Sequence, residues 1–166
     1  MSLASDLDLH LRAAEAADHG FCRALFHLVR TDEMQAWAWD ATLRAQLLDM
    51  QFASHEAQWR AGGQADERLV LAGADGAPIG RLILLRKADA LHVADLSLLP
   101  DWRGRGIGSH LLRRLRDEAQ AAGLPLRLFC LHTSRALALY LRLGFRADGG
   151  DGVHLALTWD GAAATP

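Results

Sequence analysis

The chain has 166 residues, 51% apolar and 23% charged, with a net charge of −2. That length suits one compact domain, able to bury about two-thirds of its unfolded surface without disulfide or metal staples. The composition excludes collagen-like and disordered classes, the charge gives no basic field for nucleic acid, and no apolar run reaches the roughly 18 residues of a membrane span.

The first twenty residues lack the basic-then-apolar pattern of a secretion signal. A cytoplasmic protein is expected, with Cys22 and Cys130 as reduced thiols in apolar surroundings. Over residues 7–12 apolar and polar residues alternate, as in a half-buried strand. A helical region follows near 16–30 and a second over 40–61, where Leu43, Leu47, Met50 and Ala57 mark the expected apolar face and Gly62 and Gly63 stop the helix. Residues 69–72 and 79–85 predict the two strands of a hairpin across the Asp75-Gly76 turn signal. Residues 91–99 read as another strand, closed by Pro100.

Ile107, Leu111, Leu112, Leu115 and Ala119 space a helix over 107–122, which Gly123 and Pro125 end. Residues 126–131 form a strand, 134–143 a helix with Gly144 as its stop, and 153–159 a last strand. The second half thus alternates strand and helix, which implies parallel pairing there. An α/β or α+β mixed sheet follows, in one domain over 1–160 with a loose tail over 161–166.

Chemistry concentrates after the strand over 91–99. Gly104, Gly106 and Gly108 form a glycine-rich turn that opens a helix, flanked by Arg103 and Arg105. Glycines let the backbone approach a ligand closely. The first helical N–H groups lack partners inside the helix, and the helix dipole adds positive partial charge, so the turn suits a phosphate or pyrophosphate. There is no GxxxxGK[ST], and the glycines give G-x-G-x-G rather than G-x-G-x-x-G, so P-loop and dinucleotide folds fit poorly. Five arginines fall between Arg103 and Arg116 in a slightly acidic chain, which argues for an anion. The eight histidines are scattered, with no HExxH and no CxxC, and no metal is expected.

These residues resemble the GNAT superfamily of acyl-CoA-dependent N-acyltransferases. Arg103-Gly104-Arg105-Gly106-Ile107-Gly108 matches its R-x-x-G-x-G/A signature, and Leu96, Leu98 and Pro100 match its L-x-V-x-P strand end. Ala136, Leu139, Tyr140, Gly144 and Phe145 match A-x-x-L-Y-x-x-x-G-F, at the right separation. The resemblance covers about 79–145 well. It departs at Thr133, seven residues before the tyrosine, where the family often has Asn.

The resemblance implies a largely antiparallel sheet of about 6–7 strands flanked by helices, with a splayed parallel pair holding acetyl-CoA. The backbone of Arg103, Gly104, Arg105, Gly106, Ile107, Gly108 and Ser109 would wrap the pyrophosphate. Pantetheine would lie along Leu96, Ser97 and Leu98 as an added strand, with Thr133 as a further contact and Arg113, Arg114 or Arg116 as candidates for the 3′-phosphate. The acceptor would be a primary amine of a small molecule or a protein amino group, acetylated by direct transfer. No nucleic acid or membrane partner is implied. Many members dimerise, so a homodimer stays open.

Acyl transfer to an amine needs a base for the ammonium, a donor for the developing oxyanion and an acid for the leaving thiolate. The family position assigns the donor to the amide of Leu96 or a near neighbour and the acid to Tyr140, the only tyrosine. The base is His92 or Asp95, or else a water chain or another residue. Ideal strand alternation puts His92, Ala94, Leu96 and Leu98 on one face and Asp95 on the other, unless a bulge intervenes. Trp37, Trp39, Phe52 and Trp59, with Asp32, Glu33, Asp40, Asp49, Glu56 and Asp66, give the helix pair before residue 69 an aromatic and acidic cast suited to a cationic acceptor or to a solvated surface. The reading from another class is a non-catalytic acyl-CoA-binding or sensing domain on the same fold.

Overall fold

A computed structural model describes residues 8–33, 40–73 and 75–161, and these hold seven strands and four helices. The strands are β1 (Leu9–Ala13), β2 (Gln64–Ala72), β3 (Ala77–Arg86), β4 (Leu91–Leu98), β5 (Leu126–Leu131), β6 (Arg146–Gly150) and β7 (His154–Trp159). The helices are α1 (His19–Glu33), α2 (Ala41–Ala61), α3 (Ile107–Ala122) and α4 (Leu137–Arg142). One sheet contains all seven strands in the order β1-β2-β3-β4-β5-β7-β6. Every neighbouring pair is antiparallel except β4 and β5.

The mixed, largely antiparallel sheet agrees with expectation, but parallel pairing is confined to one pair. β5 is followed by a short helix and an edge hairpin, and that hairpin pairs antiparallel with it. Its first strand, β6, escaped the sequence reading because Arg146 to Gly150 is exposed throughout and has no apolar alternation.

The sheet buries both faces. Leu82, Leu84, Leu91 and Val93 pack with Leu112, Leu115 and Ala119 of α3, and α4 closes the same side through Leu137, Leu139 and Tyr140. On the other face Cys22 and Phe26 of α1 and Phe52 of α2 cover Leu69 and Leu71, while Trp59 covers Ile83 and Leu85. Each large apolar side chain so buried contributes about 1.5–3 kcal/mol.

The inward face of α2 differs from expectation. Leu48, Phe52, Glu56 and Trp59 are buried, whereas Leu43 and Met50 are 53% and 70% exposed. The true stripe includes a glutamate, so a search for apolar spacing alone selects the wrong side of the helix. Its start is read correctly: Asp40 Oδ1 accepts from the amides of Thr42 (2.9 Å) and Leu43 (3.2 Å). α4 is shorter than expected, because the Ser134 hydroxyl accepts from the Ala136 amide at 3.2 Å in a turn before the helix. Among the described residues no helix is long and apolar enough to cross a membrane. Trp37, Trp39 and the tail beyond residue 161 lie outside the described residues.

Candidate active site

The site begins where the sheet stops being regular. β4 pairs with β5 only through Leu91, His92 and Val93, although both strands continue. Beyond Val93 they part. β3 follows β4 further, with one register shift: Leu84 faces Val93, but Ile83 faces Asp95, so Ala94 is an extra residue. This bulge changes which side chains share a face. Val93, Leu96 and Leu98 point to the α3 side, where Leu96 and Leu98 join Ile79, Ile107 and Leu111. Asp95 pairs with Ile83, and Ile83 and Ala94 pack beneath Trp59 on the α2 side. The ideal-strand expectation is therefore corrected: His92 shares its face with Asp95, not with Leu96 and Leu98.

The same stretch offers backbone groups to the opening. The Leu99 amide donates to Ile79 O at 2.8 Å, while Leu98 O accepts from Arg103 Nε at 3.0 Å rather than from β3. Strand alternation then turns the amides of Leu96 and Leu98 toward the gap between β4 and β5. An extended ligand can add there as a strand.

The gap leads to the glycine turn. Gly104 (φ 72°) and Gly106 (φ 81°) are left-handed, a conformation that side chains with a Cβ rarely adopt. The first bond into α3 runs from the His110 amide to Gly106 O, at 3.0 Å. The amides of Ile107, Gly108 and Ser109 precede it and are the partnerless first donors of the helix. A Cβ on Gly104 would meet nothing within 4 Å, and one on Gly108 would meet only Leu139 Cδ2 at 3.7 Å, so the turn is open outward. Arg105 stands 5.1 Å over the Trp102 ring. Arg113 and Arg114 are exposed on α3, but Arg116 turns inward. Its Nη1 holds Leu143 O at 3.0 Å and its guanidinium stacks 4.7 Å over Trp159, which takes it out of the 3′-phosphate candidates.

Tyr140 projects from α4, half-buried and edge-on to Phe145 at 5.9 Å. Among the described residues nothing hydrogen-bonds its hydroxyl. Burial, with the charges of Cys130 and Asp95, pushes its pKa up to about 12, so it carries its proton at neutral pH. Asp95 Oδ1 accepts from Ser97 Oγ at 2.7 Å. Burial raises the Asp95 carboxyl, against the opposing pull of Ser97, His55, Arg81 and Arg30. His92 lies against Phe129 at 5.3 Å, in the part of β4 still paired to β5. Burial, then Lys87 and Arg127, lowers its pKa. Thr133 is exposed in the turn between β5 and α4. The Asp95 charge thus reaches Tyr140.

Beneath the bulge lies a charged cluster of which the sequence singled out only Glu56, within the acidic cast of the helix pair. Arg81 is 1% exposed, yet its Nη2 meets Glu56 Oε1 at 2.6 Å and Glu67 Oε1 at 2.7 Å. Trp59 Nε1 donates to the same Glu56 oxygen at 3.1 Å. Arg81 Nη1 and His55 Nδ1 are buried with no hydrogen-bond partner. The available signal was Arg81 itself, the one charged residue inside the apolar run of β3. Beside the cluster a cleft of about 450 Å³ is lined in part by His55, Trp59, Leu85, His92, Ala94 and Phe129. Part of the acidic cast expected of the helix pair is neutralised: Asp49 meets Arg23 (2.6 Å) and His27 (2.9 Å), and Asp66 meets Arg68 and Arg86. Both cysteines are free thiols, with Cys22 pushed up to about 11 chiefly by burial.

A sheet that splays at one parallel pair, above an open glycine turn, defines a class of acyl-group transferases. The model of the acetyltransferase (GNAT) family matches residues 31–145, and the chain belongs to that family. Among solved structures, the chain resembles a PaiA N-acetyltransferase from Thermoplasma acidophilum in complex with coenzyme A, with a TM-score of 0.72 at 16% identity over 92% of this chain and 99% of that one. It also resembles a spermidine N-acetyltransferase from Vibrio cholerae in complex with CoA and spermine (TM-score 0.62, 18% identity, 91% of this chain and 94% of that one). A third is the ribosomal-protein-S18-alanine N-acetyltransferase from Escherichia coli (TM-score 0.61, 20% identity, 95% and 96%). At these identities the likeness establishes the fold.

Proposed function

We propose that this acetyltransferase moves an acetyl group from acetyl-CoA directly to a primary amine of a small molecule or a protein. The observation that carries the reading is the gap beyond Val93, lined by free strand amides and ending at the open turn 103–109. Acetyl-CoA supplies an acyl group already activated as a thioester. The amides of Ile107, Gly108 and Ser109, at the positive end of the α3 dipole, bind the pyrophosphate, with Arg103 and Arg105 alongside. Leu96, Ser97 and Leu98 hold the pantetheine arm, and Thr133 lines its far side. The Leu96 amide faces the thioester oxygen.

Asp95 is the better base of the two candidates, because it lies beyond the paired segment and its charge reaches Tyr140. Its carboxylate takes one proton from the acceptor ammonium and frees the lone pair. Burial raises the proton affinity of this carboxylate and makes it a stronger base. Tyr140 donates its phenolic proton to the departing sulfur, and the second proton that the attacking nitrogen gives up as the amide forms passes through water to restore the phenol. His92 then lines the acceptor cleft instead of removing the proton. The domain spans 1–160 in this reading, and the protein works in the cytoplasm without a metal.

Titration calorimetry with acetyl-CoA, CoA and ATP tests the site, and a panel of amines scored by thiol release tests the transfer. Binding of acetyl-CoA and CoA but not ATP is expected, together with loss of binding in Gly106→Glu. Retained micromolar affinity in that variant would remove the phosphate-site assignment. Tight binding with no turnover on any amine would favour an acyl-CoA sensor.

A further inference from the structure

In the transfer reading above, Asp95 takes up a proton from a half-buried position on β4. Its carboxyl is held by Ser97, and it pairs with Ile83 on the face that Trp59 of α2 covers, beside a cleft lined in part by Ala94, His92 and His55. A base that takes a proton at each turnover must also release it. His55 is placed to receive it. It lies on α2, one residue before Glu56, with its ring 5.5 Å from Phe26 of α1 and its side chain 22% exposed. Its Nδ1 is buried with no hydrogen-bond partner, an arrangement that leaves a polar atom poised for a transient one.

The groups facing His55 come from every element around it. Asp95 approaches from β4, Arg81 from β3, Glu56 from α2 (4.0 Å from Nδ1) and Arg30 from α1, with His92 across the cleft. Burial is the largest influence and lowers its pKa. Asp95 and Glu56 raise it, and Arg81 and Arg30 lower it. The ring is therefore neutral at physiological pH and able to accept. Glu56 is already committed to Arg81, Trp59 and Arg60, whereas Asp95 is held by the Ser97 hydroxyl and, among the described residues, by no ion pair.

We propose that His55 is a relay and positioning residue that carries the proton from Asp95 to the solvent cleft; this rests on the transfer reading above. The acceptor ammonium loses N–H to the Asp95 carboxylate, which becomes a carboxylic acid. That O–H passes its proton to the neutral His55 imidazole at Nδ1, directly or through one water, and Asp95 is again a carboxylate. The imidazolium releases its other ring proton, from Nε2, to water in the cleft. No electron moves; exchange with cleft water returns the ring to its Nε2–H tautomer, and one proton per turnover is delivered to solvent.

Two measurements decide it. The first needs no substrate: the His55 imidazole is titrated by NMR in the wild type and in Asp95→Asn. A lower His55 pKa in Asp95→Asn is expected, because a raising charge is removed; an unchanged titration overturns the relay. The second follows kcat and KM in His55→Gln and His55→Ala. A fall in kcat of about tenfold is expected, less than the hundredfold or more for loss of the primary base, with KM for acetyl-CoA unchanged. Free imidazole should restore part of the rate in His55→Ala. An unaffected kcat, or a loss that imidazole does not restore, marks His55 as a packing residue and overturns the proposal. A wild type that binds acetyl-CoA but acetylates no amine would count against the transfer reading instead, and the NMR titration would still decide whether Asp95 and His55 are coupled.

Discussion

Removing the cation beneath the bulge should cost far more than removing the whole charged cluster. In Arg81→Met, Glu56 and Glu67 keep their charges and lose the guanidinium that bridges them at 2.6 and 2.7 Å. Their side chains are 7% and 21% exposed, so water cannot fully replace it. Breaking a buried pair by deleting one partner costs about 3–5 kcal/mol. Arg60 reaches the second Glu56 oxygen at 3.0 Å and offsets part of the loss, which places the expectation near the lower end, about 3 kcal/mol. For a domain of this size that is a fall in Tm of roughly 6–12 °C. Urea unfolding at pH 7 should show a lower midpoint at an unchanged slope. The triple variant Arg81→Met, Glu56→Gln, Glu67→Gln should recover most of the loss, since neutral groups of similar volume leave no charge unpaired. A loss under about 1 kcal/mol for Arg81→Met, or a triple variant no more stable than the single one, would refute the reasoning.

Tyr140→Phe should lower kcat about tenfold or more while the Kd for acetyl-CoA stays within about twofold; equal rates would show that Tyr140 is not the acid. The pH profile of kcat/KM should rise through the raised pKa of Asp95, and Asp95→Asn should flatten that limb. Because the folded pKa is raised, the stability from protonated Asp95 is present below its unfolded value and is lost as pH climbs through the folded one. At neutral pH Asp95→Asn should therefore melt higher than the wild type, and a lower Tm would contradict the sign. Gly80→Ala would place a Cβ 2.6 Å from both Leu98 Cδ2 and Ser97 O, so it should push β4 aside, cost about 1–3 kcal/mol and weaken CoA binding in calorimetry.

Much of this was legible wherever local chemistry writes the boundary. α3 runs over the residues its spacing indicated because left-handed glycines cap both ends, Gly106 and Gly123. β5 is bounded by Pro125 and a turn, and the glycine turn lies where the composition put it, at the start of α3. What stayed hidden depends on partners distant in the chain. Glu56 is inward only because Arg81, 25 residues later, meets it there, and so the face of α2 was misread. The faces of His92 and Asp95 hinge on a register shift against β3, which no property of β4 alone records. His55 became a candidate only when the fold stacked α2 over that shift.

Ala94 acts as a change of parity in the chain. Before it, the odd positions Leu91 and Val93 face the α3 core; after it, the even positions Leu96 and Leu98 do. Had alternation simply continued, Asp95 and Ser97 would enter an apolar core and two leucines would face the charged cluster. The extra residue also coincides with the last rung shared by β4 and β5. A chain shorter by that single alanine could keep every side chain on its present face, yet lose the irregularity that lets the two strands diverge. The count of residues between Val93 and Pro100 is thus as strict a specification of this enzyme as any side chain in it.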